Sequence, residues 1–259
     1  MKQPLAYIHP EAKIAPNVVI EPFVTKDKNG VIEEGTSNCS NVTILEVARI
    51  GKNCVIFPGA VIAAVPQDLK FNGEDTVAII GDNTTIRECV TINRGTSAKG
   101  KTVVGSNCLL MAYTHIAHDC KIGNNVIMSN CVQVAGEVQV DDFAVIGGGS
   151  LVHQFVHIGS HAMIQGGSLI TKDVPPFIKA GRSPLSYAGV NSIGLRRRAY
   201  DNEKIREIQD IYRYLYQSGL NNSDAIERIE AELTTSPERD EIILFVKNSQ
   251  RGIIKGYIG

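Results

Sequence analysis

IAHDCKIGNNVIMSNCVQVAGEVQVDDFAVIGG, residues 116 to 148, places an aliphatic side chain at every sixth position: Ile116, Ile122, Met128, Val134, Val140 and Ile146. The series runs unbroken from Val104 to Ile170 and shares its frame with Ile8, Ile14, Ile20, Ile32, Ile44, Ile50, Ile56, Ile62, Ile80, Ile86 and Ile92. Four places after each aliphatic stands a small or β-branched residue, as at Cys54, Ala60, Cys108, Thr114, Cys120 and Val126. A period of six matches neither the helical 3.6 nor simple strand alternation. It is the hexapeptide signature of a parallel β-helix, in which each hexad is a short strand and a turn. Three hexads close a triangular coil, and coils stack about 4.8 Å apart. The aliphatic fills the prism, and the narrow position four later admits only a small side chain.

Two insertions interrupt the rhythm without losing its frame. About twelve extra residues follow Ile62, giving a loop near 66–79, and about six follow Thr96, giving a loop near 97–103. An insertion that preserves the frame leaves the core at a corner, where rigidly mounted loops often carry function. The sequence KDKNG at 26–30 reads as a simple turn. Pro175 and Pro176 end the repeat, since proline cannot donate to a strand ladder. Beyond them, Ile205, Ile208, Ile211, Tyr212 and Leu215 fall at helical spacing between an Asp201 N-cap and Gly219. Two shorter helical patterns follow. The expected organisation is a β-helix over 1–175 and a helical domain over 176–259 that caps its open end.

A net charge of −1 argues against bulk electrostatic binding to nucleic acid or an anionic membrane. No run of apolar residues approaches a membrane span, and the start lacks the apolar segment of a signal peptide. Six cysteines in that context point to reduced thiols and a cytoplasmic location. Cys54, Cys108 and Cys120 occupy the small inward position and read as core filler.

The histidines are read from the stack. Residues eighteen apart superpose, so Gly136 lies one coil above His118 and Gln133 one coil above His115. His153 falls two coils above His118 with a one-place shift, about 10 Å away. His115, His118, Asp119, His153 and Gln154 therefore share one side of the solenoid. They could be polar corner residues, metal ligands, or a base with its orienting carboxylate. His118, His153 and His157 resemble the zinc set of trimeric β-helix carbonic anhydrases. The one-place shift and the carboxylate of Asp119 count against that reading.

Longer motifs are more specific. QDLK (67–70), IRECVTINRGT (86–96), HIAHDC (115–120), VDDFAVIGG (140–148), VHQFVHIG (152–159), DVPPF (173–177) and GVNSIGLRRR (189–198) resemble the UDP-N-acetylglucosamine O-acyltransferase family, which opens lipid A biosynthesis. The resemblance spans essentially the whole chain. It implies a mainly β fold, a left-handed parallel β-helix followed by a small α-helical C-terminal domain, assembled as a homotrimer with clefts between subunits. It also implies transfer of an (R)-3-hydroxyacyl chain from acyl carrier protein to the 3-hydroxyl of UDP-N-acetylglucosamine. Neither a metal nor a dissociable cofactor is implied; phosphopantetheine arrives with the donor. Carried over by motif, His118 is the general base, Asp119 its orienting partner and the Gly136 N–H the oxyanion donor. Asp68 and Lys70 hold the sugar nucleotide, with their loop expected to reach into a neighbour's cleft. His115, His153 and Gln154 surround glucosamine and donor. Asn191, Arg197 and Arg198 serve the uridine and phosphates. The chain departs from the family at Glu137, where a histidine is common, and at Ile193, where an acidic residue is common. Rival readings are a hexapeptide transferase using acyl-CoA, a zinc enzyme, and a non-catalytic scaffold.

Gly166 matches the position that gates acyl length, and glycine leaves the groove open to a long chain. Gly166→Met should shift donor preference to shorter acyl chains in a competition assay; an unchanged profile contradicts this.

Overall fold

A computed structural model describes residues 4–256; residues 1–3 and 257–259, the outer ends of the two expected domains, lie outside it. Short strands, most of two residues, are set at each hexad: Tyr7–Ile8, Lys13–Ile14 and Val19–Ile20 open three separate sheets. Among the described residues these sheets hold nine, eight and eleven strands, and they form the three faces of a left-handed parallel β-helix. They are called here the first, second and third face, in the order the chain visits them.

The register is that of the hexad frame. His115 pairs with Gln133 and Gln133 with Leu151, each eighteen residues on. Across the insertions the offsets lengthen. Val61 pairs with Thr91, thirty residues on, and Val77 with Lys101, twenty-four on. The additional twelve and six residues leave the ladder, and the strands on either side remain in register. Within the stack the rungs are joined by backbone hydrogen bonds, such as His115 N–H to the Val132 carbonyl and Gln133 N–H to the Ser150 carbonyl, as a buried wall requires. The inward aliphatics form the core, with Ile44, Ile56, Ile92, Ile116, Met128 and Ile146 at 0% exposure.

Within residues 26–30, Lys28 and Asn29 form the expected turn, but Lys26 does not belong to it. Thr25–Lys26 is a strand paired with Tyr7–Ile8 below and Thr43–Ile44 above. The ladder is made by backbone, so the frame directs Lys26 inward whatever its side chain. Lys26 is 0% exposed and its Nζ has no hydrogen-bond partner. A side chain at Gly30 would meet that Nζ at 1.4 Å, so glycine makes the room for the amine. In the same coil Asn38 also points inward, donating to the Val19 carbonyl at 3.2 Å.

The prolines end the hexads but not the sheet. Ile178–Gly181 extends the third face and turns back antiparallel as Ser186–Val190; Lys255–Gly256 then pairs with the returning strand. The region beyond 176 therefore begins with a hairpin, not a helix. Four helices follow: α1 (Ser192–Arg196), α2 (Asn202–Gln217), α3 (Asn222–Glu232) and α4 (Pro237–Asn248). Asp201, Asn221 and Ser236 cap the last three through side chains that accept backbone N–H groups. Phe177, Ile178, Leu195 and Tyr212 are all 1% exposed or less, and the Tyr212 hydroxyl donates to the Pro176 carbonyl at 2.5 Å. The covering thus hides the last coil, whose backbone would otherwise face solvent as an open sheet edge.

Burial pushes the Lys26 amine down to about 8, aided by Arg49 and opposed by Asp27. Between that value and 10.5 the unfolded chain binds more protons than the folded one, so this group makes stability rise with pH across the window. Below about 8 the cost of burying the ammonium is fully present. Lys26→Met should therefore stabilise the protein at pH 7 by about 3 kcal/mol. The gain should shrink toward pH 10.5, as read by thermal melts at both pH values.

Candidate active site

The corner between the first and second faces gathers His118, Asp119 and Gly136. Ile116 and Cys120 are both held inside the prism, so the residues between them must form the turn. Asp119 adopts a left-handed φ of 61° there, stabilised by its N–H donating to Thr102 Oγ1 at 2.8 Å. This conformation turns the carboxylate back onto the preceding histidine. Asp119 Oδ2 lies 2.8 Å from His118 Nδ1. The Asp119 side chain is 0% exposed and that of His118 10%.

Burial alone would raise the Asp119 carboxyl, but hydrogen bonds from Thr96 and His118 outweigh it and hold the group below the usual carboxylate range. An ionised carboxylate only accepts, so His118 donates from Nδ1 and carries its lone pair on Nε2. Nε2 faces Asp68 Oδ2 at 3.9 Å.

One rung higher, Gly136 lies against the imidazole. A β-carbon there would meet Cε1 and Nε2 of His118 at 2.6 Å. The Gly136 N–H has no acceptor among the described residues, whereas its neighbour Glu137 donates to the His118 carbonyl at 3.0 Å. Gln154, half-buried, continues the same corner column two rungs above His118. The corner thus packs the ring that carries the lone pair against a residue whose N–H is unused among the described residues.

The other expected residues are distributed as follows. His115 points outward from the first face, its Nδ1 at 2.7 Å from Thr91 Oγ1; burial, with a smaller contribution from His118, pushes its protonation below the ordinary histidine range. His153 is exposed, with Nδ1 at 3.0 Å from the Gln154 carbonyl. The inserted loop folds back over its own chain and brings Asp68 Oδ2 to 3.9 Å from the same chain's His118 Nε2. Asn93 holds that loop by donating to the Val65 carbonyl at 3.0 Å, and Arg94 stacks on Phe71. Lys70 is exposed.

Asn191 caps α1, accepting from Gly194 N at 3.2 Å and donating to the His161 carbonyl at 3.0 Å. Arg198 donates to the carbonyls of Gly194 and Phe143 and lies over the Phe143 ring, while Arg197 is exposed. These tail residues adjoin the corner between the second and third faces, marked by Phe143 and His161. Gly166, exposed, lies at the third corner, before the chain re-enters the first face at Leu169. His157 pairs with Asp141 at 2.6 Å and packs against the Phe245 ring of α4 at a tilt, so its imidazole serves the packing of the helical domain.

Thr96 escaped the sequence reading. It stands four places after Ile92 and passes for an inward filler, yet its hydroxyl donates to Asp119 at 2.6 Å.

Residues 101–136 match the family model described as bacterial transferase hexapeptide (six repeats). The repeat and the coiled faces accordingly define a hexapeptide-repeat transferase. Residues 173–254 match the second domain of UDP-N-acetylglucosamine O-acyltransferase. The acyl-[acyl-carrier-protein]–UDP-N-acetylglucosamine O-acyltransferase of Chlorobaculum parvum is 53% identical over 96% of this chain and 95% of its own. The crystal structure of the UDP-N-acetylglucosamine acyltransferase from Bacteroides fragilis is 56% identical, covers 98% of this chain and all of its own, and superposes with a TM-score of 0.97. The Arabidopsis UDP-N-acetylglucosamine acyltransferase, at 30% identity, still gives 0.88. The chain belongs to the UDP-N-acetylglucosamine O-acyltransferase family.

Gly136→Ala should push the imidazole off Asp119 without disturbing the ladder. A crystal structure of the variant should show the Nδ1–Oδ2 bond broken, with the thermal midpoint near that of the parent. A ring left in place would contradict the close approach.

Proposed function

We propose that this protein transfers an (R)-3-hydroxyacyl group from acyl carrier protein to the 3-hydroxyl of UDP-N-acetylglucosamine, with His118 as general base. The observation that carries the reading is the pairing of His118 with buried Asp119, which leaves Nε2 free beside the unused N–H of Gly136. A sugar hydroxyl is a weak nucleophile, and a neutral imidazole is matched to take its proton near pH 7. As Nε2 accepts that proton, the oxygen attacks the thioester carbon and the carbonyl oxygen gains charge. In this reading the Gly136 N–H, which has no acceptor among the described residues, donates to the oxyanion. Collapse breaks the carbon–sulfur bond, and the imidazolium returns its proton to the departing thiolate of the carrier's phosphopantetheine. Asp119 stabilises the imidazolium between these steps. No metal or dissociable cofactor enters this scheme.

The binding roles follow placement. Asp68 stands at Nε2, where the acceptor hydroxyl would enter, and exposed Lys70 lies two residues on. His115, His153 and Gln154 flank the glucosamine and the donor. Arg197 supplies an exposed cation for the phosphates, suited to docking the diphosphate or the carrier. Asn191 and Arg198 act by fixing α1 and its approach to the corner. Gly166 leaves room for a long acyl chain.

Within one chain the base, the tail arginines and Gly166 occupy three different corners of the prism. A homotrimer with sites between copies would bring corners of neighbouring chains to one cleft, and it is the assembly we propose. No described helix is long and apolar enough to cross a membrane. The carrier and the nucleotide sugar place the reaction in the cytoplasm.

Incubation of UDP-N-acetylglucosamine with a ladder of 3-hydroxyacyl carrier proteins should yield the singly acylated sugar nucleotide by mass spectrometry. His118→Ala should lower kcat by about 10²- to 10⁴-fold with an unchanged melting temperature. No product from any donor, or full activity in the variant, would overturn the reading.

A further inference from the structure

The turn at residues 96–100 encloses Asp119 more completely than a coil corner requires. Thr96 Oγ1 lies 2.6 Å from Asp119 Oδ2, and the Thr96 N–H reaches Oδ1 at 3.0 Å. The Lys99 N–H reaches Oδ1 at 3.2 Å. The turn is closed by Gly100 N–H donating to the Thr96 carbonyl at 2.7 Å. Its two legs approach so closely that a β-carbon at Gly95 would meet Lys101 N at 2.3 Å. Ala98 N–H donates to Thr96 Oγ1 at 3.2 Å, so the hydroxyl accepts there and commits its own proton to Asp119.

The segment therefore resembles a backbone anion-binding turn whose anion is an internal carboxylate. The six extra residues lie at the corner where the carboxylate follows His118. The corners above it, at Glu137 and Phe155, reach the same left-handed φ of 60° and 67° without an insertion. The insertion is thus not needed to close a corner, and it supplies donors to one side chain.

We propose that Thr96 is a positioning residue: its hydroxyl, and the turn it opens, hold Asp119 in the orientation that fixes the His118 tautomer and aims Nε2. This rests on the proposed role of His118. Oδ2 receives both the Thr96 hydroxyl and the His118 Nδ1–H, so the two donors share one oxygen's charge. Without the hydroxyl, that charge concentrates on the imidazole and favours the imidazolium. The acidic limb of kcat/KM then moves to higher pH, because less His118 is neutral at a given pH. The carboxylate also loses its rotational lock, which slows turnover without weakening substrate binding.

The test compares Thr96→Val, which keeps the shape and loses the hydroxyl, with Thr96→Ser, which keeps the hydroxyl. The valine variant should lose about tenfold in kcat with KM nearly unchanged. Its acidic limb should rise by about half a pH unit. Thr96→Ser should restore most of both. The His118 protonation midpoint is also read by NMR on the free protein, assigned against His118→Ala, and should rise in the valine variant. Should valine prevent folding, Thr96→Ala carries the same measurements.

An unmoved His118 midpoint in the hydroxyl-free variant overturns the proposal, even if kcat falls. So does wild-type kcat together with an unmoved limb. Absence of product from the parent protein would refute the acyltransfer reading instead, and the substrate-free titration would still decide the Thr96 coupling.

Discussion

The rung-to-rung hydrogen bonding of parallel two-residue strands is the constraint on which everything else rests. Each backbone pair fixes its neighbour one coil up, so a side chain's face and height follow from its place in the frame. Gly136 meets His118 because the ladder carries His115 to Gln133 and Ile116 to Val134. A slip of a single residue would send every inward aliphatic outward, and the hydrophobic cost of that error keeps the catalytic corner in register. Site precision here is a by-product of core packing.

That periodicity also sets what could be read without coordinates. The faces, the inward cysteines, the Gly136–His118 contact and the helix N-cap at Asp201 all obey a fixed spacing and were legible. Partners across an insertion do not. Thr96 and Asp119 are twenty-three residues apart and Arg198 reaches Phe143 across fifty-five, offsets that no repeat predicts. Asp68 lies over its own His118 because the first loop folds back, a matter of loop packing that the frame cannot convey. Lys26 failed differently. A hydrophobic pattern is read from side chains, but the backbone ladder decides who points inward, and one coil accepts a lysine and an asparagine inside. The hairpin at 178–190 was hidden because prolines stop the hexads without stopping strand pairing a few residues later.

The three corners divide the labour. The first holds His118 and buried Asp119, whose carboxyl is kept low by hydrogen bonds that outweigh desolvation. The second joins the helical domain through Asn191, Arg198 and the stacked rings of Phe143, His161 and Phe177. At the third, Gly148 and Gly166 leave the surface bare, and a β-carbon at Gly166 would come 3.0 Å from the Gly148 carbonyl. The proposed base, nucleotide end and acyl groove thus stand apart within one chain, which is why the proposed reaction calls for copies side by side.

A crystal structure of the protein with UDP-N-acetylglucosamine bound addresses the acyltransfer account most directly. The account predicts a sugar hydroxyl within hydrogen-bond reach of His118 Nε2, next to the Gly136 N–H, with the diphosphate toward a neighbouring copy's tail. A sugar nucleotide bound away from that corner, leaving Nε2 to solvent, would contradict it.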